Sequence, residues 1–464
     1  MASTNRLDTG SWSFLCFVLS FTLLPVGFGG NSPVPLGLAQ VGLAASAFFL
    51  SRNCDLLQAT PFFSRLQLVA MLMVGVLIWA IIQIEPFVPV SWAHPLWNET
   101  SKILRMPVSP SISIVPENSV KGLFRLMTYI SGGILAYVFA QDSRRARFMV
   151  TAFWAVGTAI CLYGLLAFIS GSEKVLWYSK TSYLGDLTGT FINRNHFALF
   201  AGLVFIAGLA LMFQSWNRMM RGANPRQKVE DIRDWVLKQG LLRLTLSILT
   251  FIAIVLTHSR AGLVCTLLGL SAYLLLYQIY LGSWMRAALT GILVILIGVI
   301  GLNIAFNFSQ HFSELFEDYS SQERAKVYEI CLRAFLDNPV LGYGLNGFEP
   351  EFRLYQTNVF QEFDHAHSDL LESILDLGVV GALALWSAVA ILLSCLWHGV
   401  RTRRQDGMYP MLALAASVMI LLHSAVDFDL QIPGLALTWT SLLGIGLAQS
   451  WPKAERQAAL KSPA

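Results

Sequence analysis

Twelve apolar blocks, each 17 to 28 residues long, dictate what this chain can become. About 20 apolar residues are what a helix needs to cross a bilayer core. In lipid, a helix is also the shape that satisfies its own backbone groups without a partner strand. The blocks fall at 13–29, 34–50, 66–84, 122–140, 149–169, 196–214, 241–258, 261–281, 286–306, 370–397, 409–425 and 433–450. Of the 464 residues 55% are hydrophobic and 13% charged, too little charge to cover a soluble surface. The expected fold is therefore an all-α polytopic integral membrane protein of about twelve transmembrane helices.

Basic residues set the expected orientation. With the N-terminus inside, the inner segments hold 19 Lys and Arg and the longer outer segments 11, while Arg125 and Arg243 begin helices. Both termini are then cytoplasmic. The net charge of +4 reflects this bias and implies no nucleic-acid partner. The first block reads as an uncleaved signal-anchor, since "GFGG" is a loose cleavage site. The six cysteines are scattered, with no CxxC, so neither a disulfide framework nor a zinc site is indicated.

Three outer segments are long enough to hold structure. Residues 85–121 are rich in Pro and Ser and read as an extended crossing of the membrane surface. Residues 170–195 form the second. In 307–369, "ERAKVYEICLRAFLDNP" puts Val327, Ile330, Cys331, Ala334 and Phe335 on one helical face, stopped by Asn338-Pro339. A glycine-marked turn, "VLGYGLNGFEPEF", follows. This loop is expected to be partly helical and to lie over the bundle mouth. On the inner side, Val229, Ile232 and Trp235-Val236 form an apolar stripe expected of a helix lying on the leaflet.

Polar residues at the borders of spans are costly and call for a use. Four segments carry them, all on the outer side: "TGTFINRNHFALF" with Asn193, Arg194, Asn195 and His196; "LTHSRAGL" with His258, Ser259 and Arg260; "HAHSDLLES" with His365, His367 and Glu372; and "HSAVDFDLQIPG". They hold five of the eight histidines. Each has a plain alternative. The arginines could be snorkelling anchors. His365 and His367 could be a metal pair, though no third ligand is near. Asp369 and Glu372 have capping-box spacing. Asp427-Phe-Asp429 matches the DxD of some glycosyltransferases, a pattern too short to carry weight. Glu372 and Asp376 share a helix face that must turn into the bundle or a wet cavity. Arginines and histidine at an outer face suit transfer from a lipid-diphosphate sugar: guanidinium groups hold the departing diphosphate, and an imidazole takes the acceptor proton. There is no P-loop, and no nucleotide is needed.

The same segments resemble the O-antigen ligase and O-antigen polymerase family. His367-Ser368, nine residues, Gly378, two residues and Gly381 is similar to its histidine motif, and "NPVLGYGLNGF" to the turn before it. "GTFINRNHFALF", "HSRAGL" and "HSAVDFDLQIPG" resemble its arginine segments and last loop. The likeness covers roughly 185 to 435. It divides the chain into 1–184 (N-terminal helices), 185–435 (catalytic region with loop 307–369) and 436–464 (last helix and tail). It implies a GT-C-like, inverting transferase that needs no metal or other cofactor and sits in a bacterial inner membrane with its active site facing the periplasm. The implied partners are an undecaprenyl-diphosphate-linked glycan as donor, lipid A-core or a growing glycan as acceptor, and membrane lipids. By the same likeness His367 is the base, Arg194 and Arg260 hold the diphosphate, and Arg324 contacts glycan or phosphate. Asn193, Asn195, Ser259, His365 and Glu372 are expected substrate contacts, with Glu372 and Asp376 orienting His367 or lining the acceptor path. A polymerase of the same chemistry, a protein-glycosylating relative and a lipid-linked sugar transporter remain open at this point. A transporter would want polar groups through the full membrane depth, and here they cluster on one side.

Overall fold

The computed structural model describes residues 9–53, 60–61, 63–222, 228–282, 285–286, 317–356, 363–403, 406–452 and 455. It is almost wholly helical. In chain order the helices are α1 (Thr9–Leu23), α2 (Pro33–Ser51), α3 (Ser64–Ile84), α4 (Leu96–Leu104), α5 (Pro116–Phe139) and α6 (Ser143–Ile169). A small hairpin follows, β1 (Lys174–Val175) against β2 (Tyr178–Ser179). Then come α7 (Arg194–Gly222), α8 (Lys228–Trp235), α9 (Leu241–Leu256), α10 (Arg260–Tyr280), α11 (Glu317–Asp337), α12 (Phe348–Tyr355), α13 (Asp369–Thr402), α14 (Met408–His423) and α15 (Pro433–Ala448). Among the described residues, eight helices are long and apolar enough to cross a membrane, and three shorter ones are apolar as well. The chain is a multi-pass membrane protein. The expected span at 286–306 lies outside the described residues beyond its first position.

Burial sorts the helices into an interior and a rim. In α7, 78% of the apolar window is buried, against 17% in α3. Nearly every residue of α14 and α15 is buried as well. These three form the centre, and the apolar faces of α2 and α3 point outward, as a lipid-facing rim would. Lipid offers no hydrophobic push between helices, so close packing through small residues has to supply the cohesion. Gly444 of α15 rests against the Gly133 backbone of α5, where a side chain would have no room.

A second, smaller core lies at one end of the bundle. Ile114, Val327, Ile330, Cys331, Ala334, Tyr343, Phe348, Phe352, Ala366 and Leu375 pack together there. The expected apolar face of the loop helix is the one that packs, with Phe335 partly buried beside it, and the helix stops before Asn338-Pro339. Residues 85–115 complete this cap, and here the structure departs from the extended crossing. Leu96–Leu104 is a helix, with Glu99 and Lys102 paired across one turn and a left-handed Arg105 closing it. The Pro and Ser runs on either side hid it.

The cap is stitched into a broken membrane helix. Inside α13, Gly378 has φ 70° and ψ 169°, so the helix is interrupted and then resumes. Backbone groups freed by the break find partners outside the helix. Tyr343 N–H donates to the Leu375 carbonyl at 2.9 Å and Gly344 N–H to that of Asp376 at 3.0 Å. Val379 N–H donates to the Pro339 carbonyl at 2.9 Å. From α3, Trp79 Nε1 donates to the Leu377 carbonyl at 2.8 Å, and Gln83 Nε2 to Leu341 and Asp376 carbonyls at 2.7 and 2.8 Å. Irregular backbone at membrane depth survives only when buried in protein and satisfied in this way. A Cβ on Gly378 would collide with the Val340 carbonyl oxygen.

On the opposite face, α8 runs through a five-residue π-helical stretch, Val236–Gly240, into α9. Trp235 Nε1 reaches Ser215 Oγ of α7 at 3.1 Å, while Val229 stays exposed. The expected surface helix is thus the first part of a longer one.

Candidate functional site

Among the helices that begin at the cap end, α7, α10 and α13 each have a polar capping residue at the start. Asn193 opens α7, its side-chain oxygen accepting from Asn195 N–H at 2.8 Å. Ser259 caps α10 by accepting from Gly262 N–H at 3.1 Å. Ser368 caps α13, accepting from Leu371 N–H at 3.4 Å. Such residues satisfy N–H groups that have no partner inside the helix. Each start also carries the positive end of a helix dipole, which favours an anion nearby. The side-chain oxygens of Asn193 and Ser259, expected to meet substrate, are engaged as these caps.

The loop between α14 and α15 gathers the site. Asp427 Oδ1 lies 3.4 Å from His367 Nδ1 and 3.7 Å from His196 Nε2, and Oδ2 accepts from Asn195 Nδ2 at 3.1 Å. One carboxylate therefore joins the start of α7 to the residue before the cap of α13. Burial opposes its charge, but the His196 and His367 imidazoles outweigh that and hold it well below the ordinary carboxylate range. Asp369 adds a second tie, accepting from Leu430 N–H at 2.9 Å. Asp369 is thus not the cap that its spacing suggested.

Phe428 is the hub of the histidines. The ring of His365 stacks on it at 4.4 Å, and those of His196 and His367 stand edge-on at 4.7 and 5.0 Å. His365 and His367 face different carboxylates, so they do not act as a pair. His365 Nδ1 lies 3.0 Å from Glu372, which also accepts from Ala366 N–H at 3.2 Å. Burial disfavours a charged His365, yet the Glu372 carboxylate raises it above its ordinary value. Glu372 thus holds His365 and not His367. Asp376 does something else again, accepting from Asn346 and Gly347 N–H at 2.8 and 3.2 Å to pin the glycine turn. Asp429 Oδ2 lies 2.6 Å from His423 Nδ1 while its Oδ1 comes within 3.9 Å of His196 Nε2, so the two aspartates of the DxD share His196 and differ in their second histidine. Among the described residues, no group of three or more His, Cys, Asp or Glu is arranged to hold a metal ion.

Arg194 and the segment that precedes α10 join through a residue the sequence did not single out. Asp186 Oδ2 accepts from Arg194 Nη1 at 2.8 Å, and Oδ1 lies 2.7 Å from His258 Nδ1. Arg194 also lies over the Tyr183 ring, 5.5 Å from its centre. Arg260 follows His258 by two residues, is exposed and starts α10. Through shared contacts or adjacency, His258, Asp186, Arg194, Asn195, Asp427 and His367 form one connected string. Arg324 lies on α11, and its side chain is outside the described residues. Two of the histidines are conformationally unusual: His258 has φ 53° and His367 φ 51°. Non-glycine residues held there cost about 1–3 kcal/mol and cluster at functional sites. The hydroxyl of Tyr328, on α11, donates to the His367 carbonyl at 3.2 Å and braces that conformation.

Residues 245–386 match the family model for O-antigen ligase. The match supports an O-antigen ligase-like family assignment and a membrane glycan ligase or polymerase kind of function. It takes in Arg260, His365, His367 and the break at Gly378, and it leaves Arg194 and Asp427 outside. No curated protein matches the chain.

Proposed function

We propose that the protein is a glycosyltransferase of the bacterial inner membrane. It would move a glycan from undecaprenyl diphosphate to a second acceptor, lipid A-core in the ligase case, at the periplasmic face. The observation that carries the reading is the Asp427–His367 contact beside the start of α7. A carboxylate facing Nδ1 keeps the proton on that nitrogen and leaves Nε2 to accept from an acceptor hydroxyl. As the hydroxyl oxygen attacks the anomeric carbon from the face opposite the diphosphate, its proton passes to His367 Nε2. The bond from that carbon to the diphosphate oxygen breaks, the electron pair leaves with the diphosphate, and the anomeric configuration inverts. Arg194, Arg260 and the positive ends of α7 and α10 receive the charge gained by the leaving group. No step calls for a metal.

The test is the purified protein with a lipid-diphosphate oligosaccharide, lipid A-core and a chain-extension acceptor, with the products separated. Wild type should form a glycosylated acceptor, and His367→Ala should lose at least about 100-fold in rate while still binding the donor. Growth of the glycan on its lipid carrier alone would make it a polymerase. Near-normal transfer by His367→Ala would remove His367 as the base.

A further inference from the structure

Beside Asp186 lies a cavity of about 210 Å³, closed by the last turn of α6, the β1–β2 hairpin region and residues 185–189. Its polar residues are Ser172, Glu173, Lys174, Lys180, Asp186 and Thr188, and Phe168 supplies an aromatic wall. We propose that this cavity is a sugar subsite, taking the glycan residue attached directly to the diphosphate of the donor. The proposal deepens the transferase reading and rests on it.

Three features point to a neutral, hydroxyl-rich ring. The first is charge. Lys180 is the cavity's buried cation, its side chain only 7% exposed, and it already donates to the Asp186 carbonyl at 2.7 Å with Glu173 at 3.8 Å. Two ammonium groups, Lys174 and Lys180, stand against two carboxylates, Glu173 and Asp186, so the lining carries no net positive charge to call for a phosphate, whereas hydroxyls can donate to Glu173 and accept from the third ammonium hydrogen of Lys180. The second is size. Whole drug-sized ligands need roughly 300–1,000 Å³, so this cavity takes one ring and leaves the rest of the glycan outside. The third is place. Asp186 lines the cavity with its backbone and loop, and its carboxylate holds Arg194 at 2.8 Å. A ring seated here would put its anomeric end toward the guanidinium assigned to the diphosphate. A Cβ on Gly164 would meet Leu187 and the Gly189 backbone, and one on Gly189 the Phe197 ring, so the cavity wall is closely packed at both glycines.

Two variants probe the cavity without touching the arginines or His367. Ala167→Phe fills it from the α6 side, and Lys180→Ala removes its donor. Binding to the full-length protein is measured for undecaprenyl diphosphate alone and for the same lipid carrying one sugar. Wild type should bind the sugar-bearing lipid more tightly. Both variants should weaken that binding by about tenfold and leave the bare lipid within about twofold, which also reports intact folding. Equal weakening for both lipids, or none for either, overturns the subsite while leaving the transferase reading in place. A wild type that neither binds the bare lipid diphosphate nor transfers glycan overturns both.

Discussion

Among single residues, the division of labour between neighbouring histidines is the informative feature. His367 and His365 are two apart, yet one meets Asp427 and the other Glu372. The sequence made His367 legible through its spacing to Gly378 and Gly381. It could not assign the partners, because carboxylates five and nine residues on look nearer than one sixty positions away. Asp427 was visible only as half of a DxD, and Asp186 not at all; its single signal was an acid between two glycine-marked turns, Gly185 and Gly189. If Asp427 orients His367, Asp427→Asn should lower kcat by about 100-fold with the donor KM nearly unchanged, and Asp427→Glu should restore part of it. A raised KM with kcat intact in steady-state assays would reduce Asp427 to a structural tie.

At the level of elements, apolar periodicity located helices well and their interruptions poorly. "ILDLGVVGALALW" reads as an unbroken span because nothing in a hydrophobic run reveals backbone that has left the helix. The break at Gly378 requires a partner from 339–344 and donors from α3, and neither can be seen from the run itself. Gly378→Ala should therefore be costly: a left-handed φ and a collision with the Val340 carbonyl both oppose it. We expect thermal stability in detergent to fall by about 1–3 kcal/mol, with transfer activity falling alongside it. Gly37→Ala, on α2 with open space around it, should behave as wild type. Equal behaviour of the two variants would mean that the interruption carries no strain.

For the whole molecule, the cap is assembled from loops far apart in the chain, and within it the first extramembrane loop meets α12. His94 Nδ1 accepts from Leu96 N–H, which puts its proton on Nε2, 3.9 Å from Glu351. Glu351 is 2% exposed, and burial, only partly offset by Tyr343, pushes its carboxyl up to about 8. A carboxyl raised in the folded state binds its proton more tightly there than in the unfolded chain. Its contribution is thus complete below about 4.5, the ordinary value, and is lost as pH rises through about 8. Glu351→Gln should match wild type near pH 5 and melt at a higher temperature than wild type above pH 8. A constant difference across that range would contradict it. The sequence supplied the membrane class and the gathering of polar loops at one end; this contact depends on residues 257 positions apart and left no local pattern. The wide separations also bear on biogenesis. Gln83 finds its acceptor at Asp376, 293 residues later. At about 5–20 residues per second, the ribosome takes roughly 15 to 60 s to deliver that acceptor. During this interval α3 stands in the insertion machinery or the lipid with an amide in search of a carbonyl, so the nascent chain has a reason to keep its early helices close to the exit site until the late ones arrive.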